Sequence, residues 1–158
     1  MTARQRKWNK ILRGTLLANL IILGIQFVLG MMVNLYVQFP GSLPQGNDSV
    51  WVMKHSPLTT THIMVGTLIL VLAILAIAFA IPARNKPALW LSVLGFILTL
   101  ISWGSGAAFL SYGQQNIMSM YMALGFIVST VVYSLALSAT KKASLSRNEP
   151  YSTHSTNA

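Results

Sequence analysis

Few residues in this chain have side chains that can do chemistry. The stretch TTTHIMVGTLIL, residues 59–70, places His62 at the mouth of a long uncharged apolar run. Imidazole is a common axial ligand to heme iron, and a methionine thioether can supply the second ligand. A later apolar run opens with Met118 and Met122, spaced to share one face of a helix. His55 is a further candidate if the segment around it folds over the mouth of the site. Together these residues have the chemistry of a b-type heme site. A plainer reading accounts for the same residues. A histidine at a membrane surface is solvated or bonded to a neighbour, and methionine packs flexibly in apolar helices.

Other chemistries find less support. The chain has no cysteine, which excludes disulfides, thiolate metal sites and a C-x-x-C-H heme attachment. A serine nucleophile with a histidine base needs an orienting acid. The only acids are Asp48 and Glu149, both outside the apolar runs. His55, His62 and Asp48 do not have zinc-site spacing. No catalytic residue and no metal site is expected. No Asp, Glu, Lys or Arg lies within an apolar run, whereas ion-coupled transporters, proton relays and voltage sensors place charges there.

The elements that would position His62 are membrane helices. The chain has 158 residues, 54% of them hydrophobic and 8% charged, with a mean hydropathy of +0.61. About 20 apolar residues cross the hydrocarbon as a helix. Four runs qualify, at about 14–37, 61–82, 87–110 and 117–139. The expected fold class is all-α, an integral membrane four-helix antiparallel bundle. It occupies 1–140 as one domain, followed by a polar, disordered tail at 141–158. The first run is too long for a signal peptide, and no A-x-A-like site follows it, so it reads as uncleaved.

The net charge of +9 would suggest nucleic acid in a soluble protein. Here the charge is a topology signal, and no nucleic-acid partner is expected. Arg4, Arg6, Lys7, Lys10 and Arg13 precede the first run. Arg84 and Lys86 lie between the second and third, and Lys141, Lys142 and Arg147 follow the fourth. The segment 38–60 has only Lys54, and 111–116 has no basic residue. This alternation puts both termini in the cytoplasm of a prokaryotic cell. Short turns at 83–86 and 111–116 make the second, third and fourth helices antiparallel neighbours. The longer segment 38–60 reads as a lid over the outer mouth.

Small and polar residues mark the inward faces, since lipid tails are as apolar as leucine. At 100° per residue the four stripes are Thr15, Asn19, Gln26, Gly30 and Asn34; His62, Gly66, Ala73, Ala76 and Ala80; Ser92, Gly95, Thr99, Ser102, Gly106 and Gly113; and Met118, Met122, Gly125, Ser129 and Ala136. Helix packing explains such stripes, and so does room for a flat cofactor.

The arrangement resembles one half of a heme A synthase, a membrane enzyme family built from four-helix halves that bind heme near the outer surface. The likeness rests on the basic N-terminus, LGIQFVLGMMVN in the first helix, the long outer segment, and a histidine opening the second helix before a glycine-containing apolar run. It implies a four-helix fold and a heme held by His62. Where the family has an acid three residues before this histidine and often an arginine after it, this chain has Thr59 and Ile63. Where it has a second histidine, only Met118, Met120 or Met122 is available. The family's catalytic acid is missing, so its oxidation of a heme methyl group does not carry over. GMMVNLYVQFP, HIMVGTLILV and GSGAAFLSYG also resemble small four-helix prokaryotic membrane proteins.

Three functional expectations follow. The first is a non-enzymatic subunit, assembly factor or scaffold in the cell membrane, whose partners are the lipid bilayer and other membrane proteins or its own copies. The second is a b-type heme protein in electron transfer or heme handling. The third, a heme A synthase-like enzyme, is the least supported because the acid is missing.

Overall fold

Thr2 starts the first helix within the basic segment, well before the apolar run begins. Its hydroxyl accepts from the Gln5 N–H at 3.3 Å, and the Gln5 side chain accepts from the Thr2 N–H at 3.0 Å. This reciprocal cap satisfies two helix-end donors, so α1 runs Ala3–Tyr36. The computed structural model describes residues 2–39, 52, 54–112 and 115–145, with side chains to Lys141. Most of the segment read as a lid, Gly113, and the tail beyond 145 lie outside the described residues.

Ser56 caps α2, Pro57–Ala83, accepting from the Thr59 N–H, and Pro57 takes the first position, where its missing N–H costs nothing. The helix ends at Arg84, whose backbone is left-handed at φ 51° and ψ 37°. Asn85 then caps α3, Lys86–Ser111. The last helix, α4, is Asn116–Leu145. It continues past 139, so the first residues assigned to the polar tail are helical. Hydropathy measures the apolar run, whereas Ala, Lys and Leu extend a helix whether or not it is apolar.

All four helices are long and apolar enough to cross a membrane. Each packs antiparallel to its neighbours in the order α1–α2–α3–α4 around a ring, with the broadest contacts at α1–α2 and α3–α4. The diagonal pairs, α1–α3 and α2–α4, have no Cα atoms within 8 Å among the described residues. Ring stacking of Trp8 on Phe79 and of Phe27 on Phe126 records the antiparallel registers.

Many of the bundle's large apolar residues lie outside. Ile21, Val28, Ile74, Ile127 and Val131 are all more than half exposed. The alanine face of α2 is fully buried at Ala73, Ala76 and Ala80, against Leu12, Leu16 and Tyr133. Small side chains let the backbones approach, and the gain comes from van der Waals contact. The inward stripes hold in the central turns and weaken at the Gln26 end, where Asn34 is exposed.

One end of the bundle is basic. Asn9 Nδ2 donates to the Thr140 carbonyl at 3.2 Å, and Asn85 Nδ2 donates to the Ala139 carbonyl at 3.3 Å. These two bonds bring the start of α1, the α2–α3 turn and the last turns of α4 to one level. The basic residues of all three segments therefore share that end. His62 lies toward the other.

Candidate functional site

His62 sits in the second turn of α2 and faces α1, half-buried. Its Nε2 is 3.3 Å from Gln26 Nε2. As placed, the Gln26 amide donates to that nitrogen, which puts the ring proton on Nδ1. The ring lies over Gly30: a Cβ there would be 3.1 Å from His62 Cε1. The Gln26 amide lies over Gly66 in the same way, with Nε2 3.0 Å from the position of a Cβ. Trp103 of α3 closes the side, its indole N–H donating to Thr67 Oγ1 at 3.3 Å. Two buried acceptor or donor atoms of this pair are left without a partner, His62 Nδ1 and Gln26 Oε1.

The methionines belong to a different seam. Met122 Sδ lies 3.2 Å from where a Gly106 Cβ would be, and the Met122 carbonyl accepts from Ser102 Oγ at 3.0 Å. Met122 thus packs between α3 and α4, while His62 packs between α1 and α2. Met118 is half-buried one turn earlier, and Met120 is exposed. His55 is exposed just before the start of α2. No group of three or more His, Cys, Asp or Glu gathers as a metal site among the described residues.

The inward glycines show what their space is for. Beside Gly30, Gly66 and Gly106, the Gly95 position is met by the Tyr133 ring at 2.6 Å and Gly125 by Ser102 Cβ at 2.8 Å. In every case a side chain of the bundle itself occupies the space that glycine leaves. That geometry matches the packing reading of the stripes and leaves no open slot for a flat ring at these positions.

Tyr133 was not read from the sequence as an inward residue. Tyr133 is fully buried, its hydroxyl 3.3 Å from Thr99 Oγ1 and facing Asn19 of α1. Asn19, Ser92 and Ser129 are buried beside it on three helices without a well-aligned bond. The signal for Tyr133 was present: it lies four residues after Ser129 and three before Ala136, on the same face. Tyrosines gather at membrane interfaces, so attention goes to those at helix ends and passes over one in mid-helix.

Compared with known proteins, the chain matches no family model, no curated protein and no solved structure.

Proposed function

We propose that this is a multi-pass cell-membrane protein, with both termini cytoplasmic, that works as a non-enzymatic subunit, assembly factor or scaffold. The observation that carries this is the inverted distribution of side chains. Large aliphatic groups cover the outside, while the inside is packed with alanines and a few leucines and carries the bundle's buried amides and hydroxyls and one imidazole paired with an amide. A contiguous apolar exterior of this extent needs lipid or protein to cover it. Among the described residues the interior offers helix-to-helix bonding and no acid–base pair.

The outward glycines name the surface that partners would use. Gly14, Gly24 and Gly104 have no atom within 4 Å of a Cβ position. They are notches in the exterior of α1 and α3 that allow another helix to approach closely. Photo-crosslinking from a probe amino acid at Ile101, next to Gly104, should capture a partner helix in native membranes. A probe on α2 at Ile74 should give markedly less. Equal labelling at both positions would count against a defined face. A reporter fused after residue 158 should read cytoplasmic, and a periplasmic reading would overturn the orientation.

The b-type heme reading keeps His62 as the iron ligand, and its Nε2 would have to exchange the Gln26 amide for the metal. A reduced-minus-oxidised spectrum of the purified protein, expressed with ample heme, separates the two functions. An α band that His62→Ala abolishes would establish the heme reading, and a flat spectrum would remove it.

A further inference from the structure

The basic end of the bundle carries two open grooves. One, of about 590 Å³, lies along the first turns of α1 beside Arg6, Lys7 and Lys10. The other, of about 300 Å³, crosses the α2–α3 turn and is lined by Ala80, Ile81, Arg84, Asn85, Lys86 and Leu89. The second is built from two helices and a rigid turn, and its lining is divided by chemistry. Arg84 and Lys86 are exposed cations. Ile81 is 61% exposed on the outward face beside them, and Leu89 is half-buried. No acidic side chain accompanies the two cations among the described residues.

The turn is held firmly. Asn85 is buried, with its Oδ1 accepting from the Ala88 N–H at 3.2 Å and its Nδ2 donating across to α4. Arg84 stands in the left-handed position that ends α2, a position that glycine or asparagine fills most easily. A charged side chain is therefore kept where the backbone favours none, and an outlier of this kind is a reason to look for a function. The N-terminus of the 26-residue α3 adds partial positive charge at the same place.

We propose that this groove seats one anionic phospholipid. Arg84 and Lys86 hold the headgroup phosphate, and Ile81 and Leu89 pack along the upper acyl chain. The proposal rests on the membrane reading above. A soluble anion would need the cations alone, so the aliphatic wall on the outward face is what selects a lipid. General attraction to an anionic leaflet is spread over every basic residue at this end, whereas a seat concentrates it on two.

Native mass spectrometry of the full chain in detergent, with phosphatidylglycerol or phosphatidylcholine added, tests this. Retained phosphatidylglycerol should exceed phosphatidylcholine. Arg84→Gly and Lys86→Gln should each lower phosphatidylglycerol retention about fivefold, while Arg4→Gln with Arg13→Gln leaves it unchanged. Arg84→Gly relieves the turn, so its melting temperature should rise as lipid is lost, which separates the effect from unfolding. Equal retention of the two lipids, or equal loss in the Arg4 and Arg13 variant, would overturn the seat. So would displacement by millimolar inorganic phosphate, which would mark a soluble-anion site. Carbonate extraction of membranes checks the reading beneath it. Release of the protein would refute membrane insertion itself, while retention without a lipid preference would refute only the seat.

Discussion

Gly95→Ala is the sharpest test of the bundle's packing. A Cβ at Gly95 would lie 2.6 Å from both Cε1 and Cζ of Tyr133. Carbon atoms prefer about 3.5–4.0 Å, so the ring must retreat by about 1 Å. It has little room to do so, because Tyr133 is fully buried and its hydroxyl is 3.3 Å from Thr99 Oγ1. Overpacking of this kind costs about 1–3 kcal/mol. Alanine also gains up to about 1 kcal/mol over glycine in a helix, which would hide part of the loss. Gly24→Ala carries the same propensity gain with nothing within 4 Å. The difference between the two variants therefore isolates the clash, at about 1–3 kcal/mol. Thermal unfolding in detergent, followed by tryptophan fluorescence and circular dichroism, measures it. Tyr133→Leu in the Gly95→Ala background should recover part of the loss by removing the ring atoms in the way. Equal stability of Gly95→Ala and Gly24→Ala would refute the close packing of α3 on α4 at this level.

Four further outcomes are expected. Gln26→Leu removes the donor to His62 Nε2, and a double-mutant cycle with His62→Leu should give a coupling of about 0.5–2 kcal/mol in detergent unfolding; no coupling would mean that the pair is not formed. Gly66→Leu should lower the melting temperature far more than Gly104→Leu, because Gln26 and Trp103 lie at the first position and nothing lies at the second. Asn9→Ala frees the Thr140 carbonyl, so hydrogen exchange should rise in α4 near 136–141, with a loss of about 0.5–1.5 kcal/mol; unchanged exchange would count against the tie. Arg84→Gly should stabilise the protein by about 1 kcal/mol through relief of the left-handed backbone, and a lower melting temperature would show that the arginine side chain holds the fold.

The number of helices, their antiparallel order and their inward faces were legible in the sequence for a simple reason. Hydropathy and a 100° periodicity are local properties, and a helix whose exterior is uniformly apolar must turn its few small and polar residues toward its neighbours. Asn19, Gly66, Ala73, Ala76, Gly95, Gly125 and Ser129 are all buried where the periodicity placed them. The pairings were not legible. His62 and Met122 both lie on inward faces, yet one meets α1 and the other α3, because the ring order sets which face of an interior stripe touches which neighbour. The same holds for the glycines. Spacing identifies a close approach, but only the packed bundle shows that His62, Gln26, Tyr133, Met122 and Ser102 fill the space.

The sequence by itself determined that this chain forms four long apolar helices, and that its cations lie at the start of α1, the α2–α3 turn and the end of α4, because both are written in composition along the chain. Only the tertiary structure decided what those features do. The Asn9 and Asn85 side chains tie three distant basic segments to one level, and the turn at Arg84 and Asn85 shapes a groove from residues of two helices. Contacts between residues far apart in sequence depend on how helices rotate and register against each other, and no local pattern encodes that.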